Sequence, residues 1–303
     1  MPGSLAVAGA NGFVGRNLVA VASARGWDVV GIVRSEAGAQ VVREAGGRPV
    51  SLPVWDPEPL AAALAGVRAV VHLAQIGAER GGGAYEDVNV GGTRRLIDAA
   101  RRAGAGRIVY FSGLGVARYG MSRRCTNRYF LSKLACEVEL YRSGVGVVVF
   151  RPSYILGPGD ALVRALLGQM AAGEVERPGD GSYRLQPMGV GDAAAAVLAS
   201  LDLPKAPAVF DLVGPEPVPF QQLLVRLGGV ARRLGRPADF RIREVAVEEV
   251  DRRAAGGGYR GMLPDEVDCL LCDEVSDHHP LEALVGRPLV PLDEALARAA
   301  GGT

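Results

Sequence analysis

The sequence lacks the features that mark several specialised classes of protein. It has no excess of one charge, with 34 Lys and Arg against 33 Asp and Glu. This balance argues against a nucleic acid or an anionic membrane as a partner held by bulk electrostatics. No apolar run approaches the ~20 residues that cross a bilayer. The first predicted strand begins almost at the N-terminus, so we expect no signal peptide and a cytoplasmic location.

Cysteine is scarce, and a disulfide framework is therefore not expected in a chain of 303 residues. We expect free thiols at all four positions, which are Cys125, Cys136, Cys269 and Cys272. The spacing of Cys269 and Cys272 is C-x-x-C, and His278 and His279 follow, so a zinc site is the alternative. We expect no metal, because Leu270 and Leu271 between the thiols are typical of packing residues.

Lysine is almost absent: 32 of the 34 basic residues are arginines, and the two lysines are Lys133 and Lys205. Lys133 follows Tyr129 by four residues in a predicted helix, which places both side chains on one face. A nearby ammonium stabilises a phenolate and is expected to lower the pKa of Tyr129. The tyrosine could then act as a general acid or base on an alcohol or a carbonyl. The alternative is an incidental surface pair.

A glycine-rich turn follows the first apolar run, where residues 5–15 read Leu-Ala-Val-Ala-Gly-Ala-Asn-Gly-Phe-Val-Gly. We expect Gly9 to permit a tight turn, Gly12 to admit a pyrophosphate close to the backbone, and Gly15 to let a helix pack closely on the strand. The N-terminus of that helix would present free N–H groups to the phosphate. The three-three glycine spacing differs from the two-three spacing of the ordinary dinucleotide fingerprint. The alternative is one more glycine-rich turn in a chain with 42 glycines.

Strand-like and helix-like segments alternate through the first half of the chain. Predicted strands are 4–8, 28–33, 48–52, 68–74, 106–111 and 145–150. Predicted helices are 13–25, 36–45, 58–65, 86–103 and 126–143. Because the strands are continuously apolar, we expect a parallel sheet buried on both faces. The fold class is therefore α/β, a doubly wound parallel sheet of the Rossmann type.

The alternation ends after Arg151, where Gly-Pro-Gly-Asp at 157–160 predicts a turn. Further predicted elements are helices at 161–171, from Asp192, at 219–234, 246–254 and 292–300, and a strand at 208–213. They predict a small mixed C-terminal substrate lobe on the same sheet. We thus divide the chain into a dinucleotide-binding domain at 1–156 and a substrate-side lobe at 157–303, with a mobile loop or lid at 253–261.

The end of the second predicted strand indicates which dinucleotide binds. An acidic residue there selects NAD, whereas an arginine accommodates the 2′-phosphate of NADP. Arg34 follows the strand directly, Ser35 adds a hydroxyl, and Glu36 comes two residues after Arg34. We therefore expect NADP, with NAD less favoured and Arg16 as a second candidate phosphate contact. The alternative is that Arg34 is one more exposed arginine.

Together these motifs resemble the short-chain dehydrogenase/reductase superfamily in its extended or atypical branch. The matching segments are Gly9-Ala-Asn-Gly12-Phe-Val-Gly15, His72-Leu-Ala74, Val88-Asn-Val-Gly-Gly-Thr93, Tyr129-Phe-Leu-Ser-Lys133, Arg151-Pro-Ser-Tyr-Ile-Leu-Gly-Pro-Gly159, Pro178-Gly-Asp-Gly and Gln186-Pro-Met-Gly-Val-Gly-Asp192. Within this branch, the chain resembles proteins similar to the NADPH-binding accessory subunit of respiratory complex I.

The resemblance implies roles for individual residues. Tyr129 would be the acid/base and Lys133 its partner, both also close to the cofactor. The other implied cofactor-binding residues are Gly9, Asn11, Gly12, Phe13, Val14, Gly15, Arg34, Ser35, Asp56, Leu73, Ala74, Gln75, Asn89, Pro152 and Ser153, with Tyr154 approaching the nicotinamide. Helices 86–103 and 126–143 would pair across a homodimer.

Two positions depart from the superfamily pattern. Leu114 stands where active members place the Ser or Thr that polarises the substrate oxygen, and Ser112 could replace it only if the loop shifts. Val54 stands where many relatives have an adenine-binding Asp, with Asp56 close by.

Three functions are compatible with these observations. The first is an NADP-dependent oxidoreductase on a small carbonyl or sugar-like substrate, with Tyr129, Lys133 and Ser112 as its catalytic residues. The second is a non-catalytic NADPH-binding scaffold or sensor with a protein partner, which Leu114 favours. The third is a nucleotide-sugar epimerase or dehydratase, with Arg164, Arg184 and Arg260 as candidate phosphate contacts.

Overall fold

The computed structural model describes residues 3–118, 126–260 and 262–302. The strands it assigns are β1 Ser4–Ala8, β2 Asp28–Val33, β3 Arg48–Ser51, β4 Ala69–His72, β5 Arg107–Phe111, β6 Gly146–Pro152, β7 Ile155–Leu156, β8 Glu174–Pro178, β9 Arg184–Leu185, β10 Met188–Gly189, β11 Ala208–Leu212, β12 Val218–Pro219 and β13 Arg241–Val245.

The helices it assigns are α1 Phe13–Ala24, α2 Glu36–Glu44, α3 Pro57–Ala63, α4 Gly91–Arg102, α5 Arg128–Tyr141, α6 Ala161–Ala171, α7 Val190–Ser200, α8 Phe220–Arg233, α9 Val247–Ala255, α10 Pro264–Leu270, α11 His279–Val285 and α12 Leu292–Gly301. A π-helical segment, Glu86–Val90, leads into α4, and a 3-10 helix, Leu114–Arg118, follows β5.

The central sheet has seven strands in the order β11-β6-β5-β4-β1-β2-β3, and every neighbouring pair is parallel. Strand β1 lies between β2 and β4, with Leu5 opposite Val29 on one side and Ala69 on the other. The chain leaves β1 towards β2 and later returns on the other side to β4. Ligands of doubly wound sheets bind at the carboxyl ends of the strands at such a switch point. The predicted α/β Rossmann fold is confirmed.

Alternation along the strands explains why both faces of the sheet are covered. In β1, Leu5 and Val7 pack into one apolar cluster and Ala6 and Ala8 into another, because successive side chains point to opposite faces. Helices α1 and α7 cover the first face, and α3, α4 and α5 cover the second. Burial of apolar surface on both faces fixes the carboxyl edge of the sheet as a rigid platform.

The C-terminal half adds a lobe and also completes the sheet. A third apolar cluster joins α6, α8 and α12. Three two-stranded sheets, β7–β10, β9–β12 and β8–β13, surround it. Strand β11, however, pairs with β6 as the edge of the central sheet. The division of the chain at residue 156 into two domains stays a prediction.

Several elements differ from the sequence-based expectation. The strand predicted at 68–74 ends at His72, and the helix predicted at 86–103 begins with the π-helical segment. The short strands of the lobe and the helices α10 and α11 were not predicted. The predicted loop at 253–261 begins inside α9. Near its end, two backbone hydrogen bonds of 2.8 Å join Tyr259 to Met262, the residue that follows the loop. Its mobility stays a prediction.

Over the described residues, the helices are too short or too polar to cross a bilayer.

Candidate active site

The glycine-rich turn has the geometry that its residue types require. Gly9 has φ +82°, and a Cβ at this position would lie 2.8 Å from the amide nitrogen of Ala74. Its N–H donates to the carbonyl of Ile32 at 3.1 Å, which ties the turn to β2. A Cβ on Gly15 would lie 2.9 Å from the backbone of Ala10, so Gly15 lets α1 pack against the turn itself. Gly12 caps α1 with no side chain in the way.

The turn opens onto a cavity of about 620 Å³ at the carboxyl ends of β1, β2 and β4, here called the switch-point cavity. Its described lining residues are Gly9, Asn11, Gly12, Ile32, Val33, Arg34, Pro53, Val54, Trp55, Asp56, Pro57, Leu73, Ala74, Gln75, Ile76, Asp87, Val88, Gly92 and Arg95. Eight of the predicted cofactor-binding residues are brought together here: Gly9, Asn11, Gly12, Arg34, Asp56, Leu73, Ala74 and Gln75.

Other predicted cofactor residues lie behind this lining. The amide of Asn89 is fully buried, accepts from the N–H of Ile76 at 2.8 Å and donates to the Ile76 carbonyl at 3.1 Å and to Ser132 Oγ at 3.0 Å. Asn89 therefore holds the loop after β4 against α5. Phe13, Val14 and Gly15 are also outside the described lining.

The end of β2 carries the groups that distinguish the two dinucleotides. Arg34 is exposed and lines the switch-point cavity. Glu36 is engaged elsewhere, since it forms an ion pair of 2.8 Å with Arg43 along α2. Ser35 caps α2, its hydroxyl accepting from Gly38 N–H at 3.2 Å. Arg16 is not part of the lining and instead donates to the carbonyls of Pro158 and Gly159 at 3.4 and 3.3 Å.

A second cavity, of about 460 Å³, lies between the sheet and the C-terminal lobe and is called the lobe cavity. Its described lining residues are Ser112, Gly113, Tyr129, Phe130, Pro152, Ser153, Tyr154, Ala161, Leu162, Ala165, Leu166, Gln169, Glu176, Pro178, Leu185, Phe220, Tyr259, Arg260, Met262, Glu266, Cys269, Leu270 and Glu274. The predicted residues Ser112, Tyr129, Pro152, Ser153 and Tyr154 meet here rather than in the switch-point cavity. A Cβ added to Gly113 would lie 3.1 Å from the ring of Phe130 and 4.0 Å from the ring of Tyr129, so the turn after β5 lies close to both rings.

Lys133 connects the linings of the two cavities. Its Nζ donates to the carbonyl of Phe111 at 2.9 Å and to the side-chain oxygen of Gln75, which lines the switch-point cavity. The same Nζ lies 5.2 Å from the centre of the Tyr129 ring, which lines the lobe cavity. Burial lowers the pKa of Lys133 to about 8.

The expected lowering of the Tyr129 pKa by Lys133 is not found. Burial raises the pKa of Tyr129, and the nearby Cys269 and Glu274 add to this. Burial of the phenol is the largest cause, and the hydrogen bonds of the Lys133 ammonium go to Phe111 and Gln75. The phenol is therefore held in its protonated form, which is the form that can donate a proton.

The position of the candidate polarising hydroxyl differs from the position expected by counting along the loop. Leu114 begins the 3-10 helix after β5 and is buried outside the cavity lining. Ser112 lines the lobe cavity, and its N–H donates to the Phe150 carbonyl at 2.8 Å. Its hydroxyl is buried and has no hydrogen-bond partner among the described residues. Buried hydroxyls are usually satisfied, so this group is suited to bind an oxygen of a ligand.

Sequence reasoning missed several lining residues. Trp55 and Arg95 join the switch-point cavity from the loop after β3 and from α4, and Arg95 donates to the Asp87 carbonyl at 3.1 Å. The lobe cavity receives Glu176 from β8 and Phe220 from α8. No local motif marks these positions, because distant segments bring them together.

The cysteine–histidine zinc alternative is not supported over the described residues. Cys269 lies in α10 and lines the lobe cavity. The group of side chains that could hold a metal consists of Asp277, His278 and His279 and includes no cysteine. Cys136 and Cys269 are free thiols, as expected. Cys125 lies outside the described residues.

The arginines predicted for a sugar-nucleotide phosphate do not converge. Arg184 binds Asp273 with two hydrogen bonds of 2.7 and 3.0 Å, and neither Arg184 nor Arg164 is among the described lining residues. Arg260 lines the lobe cavity, but its Nε donates to Glu176 at 2.6 Å.

The sheet, its switch-point cavity and the adjacent Tyr129–Lys133 pair define a protein of the extended short-chain dehydrogenase/reductase class. Residues 5–212 match the model of the NAD dependent epimerase/dehydratase family, so the chain belongs to this family.

Relatives and solved structures agree with this assignment. The chain is 28% identical over 248 residues to a 4-hydroxy-2-methyl-3-oxo-4-farnesyl-3,4-dihydroquinoline-1-oxide ketoreductase of Stigmatella aurantiaca, covering 76% of this chain and 74% of the relative. It is 29% identical over 244 residues to a 2-alkyl-3-oxoalkanoate reductase of Stenotrophomonas maltophilia, covering 73% of each. The fold matches a dTDP-glucose 4,6-dehydratase of Streptomyces venezuelae with NAD bound, with a TM-score of 0.75, 21% identity and coverage of 99% of this chain and 96% of that one.

The residues present fit the nicotinamide dinucleotide that the family implies. The switch-point cavity begins at the N-terminus of α1, where N–H groups and the helix dipole favour a phosphate. The side-chain nitrogen of Gln75, one of the lining residues, is buried without a hydrogen-bond partner in the described part of the chain. Gly9, Gly12 and Gln75 would therefore hold the group along the carboxyl edge of the sheet.

Proposed function

We propose that this protein is an NADP(H)-dependent oxidoreductase that interconverts a carbonyl group and an alcohol. The bound dinucleotide would supply the hydride chemistry. The observation that carries the proposal is the meeting of Ser112, with its unpartnered buried hydroxyl, and Tyr129 in one cavity.

Each side chain has a distinct task in this proposal. Ser112 donates a hydrogen bond to the substrate carbonyl oxygen and so polarises it. Tyr129, whose raised pKa keeps it protonated, donates a proton to that oxygen in the direction of reduction. The ammonium of Lys133 lies close to the Tyr129 ring and stabilises the phenolate that forms when Tyr129 gives up its proton. Gln75 and the Phe111 carbonyl fix the position of Lys133.

The preference for NADP(H) rests on the end of β2. Arg34 lines the cavity there, whereas the nearest acid, Glu36, is paired with Arg43. A guanidinium forms charge-assisted hydrogen bonds with a phosphate, and a 2′-hydroxyl needs an acceptor instead.

The test measures NADPH oxidation with a panel of ketones and compares two tyrosine variants. Tyr129→Phe removes only the hydroxyl and should lower kcat by about 100-fold or more, while NADPH binding by fluorescence is retained. Tyr141→Phe is the matched control, because Tyr141 lies on the same helix α5, is exposed, and is outside both described linings. Equal activity of the two variants, or no turnover of any ketone by the unaltered protein, would overturn the proposal.

Two alternatives make different predictions. A non-catalytic NADPH-binding scaffold, which follows from the predicted likeness to the complex I accessory subunit, would bind NADPH without turnover and retain a protein partner. A nucleotide-sugar epimerase or dehydratase would be stabilised by a nucleoside-diphosphate sugar. The homodimer and the cytoplasmic location remain predictions, testable by light scattering and by fractionation.

A further inference from the structure

The wall of the lobe cavity is largely apolar. Two leucines of α6, Leu162 and Leu166, face it together with Leu185, Phe220, Met262 and Leu270. These side chains come from β9, α6, α8, α10 and the loop before α10, so several lobe elements contribute one apolar surface. The polar groups Ser112 and Tyr129 come instead from the sheet side of the cavity. A ligand would therefore meet Ser112 and Tyr129 on the sheet side, and apolar side chains interspersed with charged ones on the lobe side.

Several charged groups of the wall are already engaged in ion pairs. In the described part of the lining, the carboxylates are Glu176, Glu266 and Glu274, and the guanidinium is that of Arg260. Arg260 is already bound to Glu176, which also accepts from Arg243 and Arg253. Glu266 likewise accepts from Arg80. A diphosphate placed here would have to compete with these carboxylates for arginines that already bind them.

The volume of about 460 Å³ lies in the range of cavities that enclose small organic ligands. Apolar walls with a few convergent polar groups orient a ligand by its polar end and bind its body by burial of apolar surface.

We propose that the lobe cavity accepts a carbonyl compound with an uncharged, apolar body, its carbonyl facing Ser112 and Tyr129, and that it does not accept a nucleoside-diphosphate sugar. This inference rests on the proposed oxidoreductase function for the orientation of the carbonyl. The apolar body would run along α6 towards Phe220.

The first experiment measures binding in complexes that cannot react, with ketones in the presence of NADP⁺ and with alcohols or UDP-glucose in the presence of NADPH, so that it does not depend on turnover. The ligands are a homologous series of methyl n-alkyl ketones, the corresponding secondary alcohols, and UDP-glucose. Affinity by calorimetry should rise about fourfold for each added methylene until the cavity is filled, as transfer of a CH₂ from water predicts. UDP-glucose should give no heat of binding and no thermal stabilisation. Binding of UDP-glucose, or an affinity independent of chain length, would overturn the inference.

The second experiment fills the cavity by mutation. Ala165→Trp places a large side chain on the cavity face of α6 and should weaken binding of the longest ketone at least tenfold. Ala171→Trp is the matched control, since Ala171 is an exposed residue of the same helix outside the described lining. Equal binding by both variants would argue against occupation of this cavity.

The outcomes separate this inference from the proposed function. Chain-length-dependent binding without any NADPH oxidation would support the apolar cavity and overturn the oxidoreductase. Turnover of short carbonyls without a chain-length effect would support the oxidoreductase and overturn the apolar cavity.

Discussion

The ammonium of Lys133 lies 5.2 Å from the centre of the Tyr129 ring, and its hydrogen bonds go to other groups. The Phe111 carbonyl is one acceptor, at 2.9 Å, and Gln75 is the other. The position of Lys133 is thus fixed by the end of β5 and by a lining residue of the switch-point cavity, and the phenol of Tyr129 lies beside it. This arrangement makes the lysine a link between the two ligand cavities.

Replacing Lys133 with methionine tests that link. Lys133→Met keeps the length of the buried stem and removes the charge, so we expect kcat to fall by about 100-fold or more for ketone reduction. Lys205→Met is the matched control, because Lys205 is the other lysine of the chain and is exposed. Steady-state kinetics with NADPH would show the difference. Similar rates for the two variants would contradict a role for the ammonium.

The pH profile of the unaltered protein should reflect the same group. Burial lowers the pKa of Lys133 to about 8, so the ammonium loses its proton as the pH rises through that value. Because the charged form stabilises the phenolate, we expect kcat to decline above pH ~8. The residual activity of Lys133→Met should lack this decline. A profile unchanged by the substitution would assign the decline to another group.

Arg34 should determine the choice of dinucleotide. Arg34→Ala removes the guanidinium from the end of β2 and should raise the Kd for NADPH by about 10- to 100-fold, the effect of losing a charge-assisted hydrogen bond. The Kd for NADH should change little. Arg25→Ala is the control, since Arg25 follows the far end of α1 and is exposed. Fluorescence titration measures both constants, and an equal loss for both cofactors would refute selectivity through Arg34.

Gly15 should be intolerant of even one additional carbon. A Cβ there would lie 2.9 Å from two backbone atoms of Ala10, and the turn that carries Gly9 would have to move. We expect Gly15→Ala to cost about 2 kcal/mol or more in unfolding free energy and to weaken NADPH binding. In α7, a Cβ on Gly191 meets nothing within 4 Å. Gly191→Ala should therefore stabilise the protein by up to about 1 kcal/mol. Denaturant titration measures the unfolding free energy of both variants. Equal changes in the two would contradict the importance of close packing at Gly15.

His72 should make the fold sensitive to acid. Burial, with a smaller effect of the Lys133 charge, lowers the pKa of His72 to about 3 in the folded protein. The unfolded chain binds a proton near pH 6.5 and the folded chain does not, so unfolding free energy falls as the pH drops below that value. Through His72, we expect the unfolding free energy to fall by about 2 kcal/mol when the pH is lowered from 7 to 5.

The variant His72→Gln isolates this contribution. Glutamine retains a group that can bond to Thr93, which lies 3.0 Å from His72 Nε2, but it does not titrate. Chemical denaturation at both pH values should show a smaller loss in the variant than in the unaltered protein. The same loss in both proteins would show that other groups cause the acid sensitivity.

The sheet could be predicted from the sequence because its signals are local. The strand at Ala69–His72 and the glycine turn at Gly9 can each be recognised from a few consecutive residues. The pairing of Tyr129 with Lys133 follows from helical spacing in the same way. The ends of the elements were predicted less accurately: β4 ends at His72, two residues before the end of the predicted strand.

The lobe cavity could not be predicted in the same way. Glu176, Phe220 and Glu274 are distant in sequence and meet only through packing of the lobe. Counting along the loop after β5 put Leu114 at the position of the superfamily's Ser or Thr and left Ser112 as the substitute. The 3-10 turn buries Leu114, and Ser112 lies in the cavity lining. The direction of a side chain in an irregular turn depends on backbone geometry, which has no periodic signal.

The position of β11 at the edge of the central sheet limits which fragments and chimeras of this protein can be made. A fragment that stops after residue 156 would leave the hydrogen-bonding groups of β6 bare from Val148 to Pro152, the stretch that β11 normally pairs. Bare strand edges recruit other chains and promote aggregation. A chimera that exchanges the ligand-binding half with another protein would therefore have to retain Ala208–Leu212 as part of the recipient core.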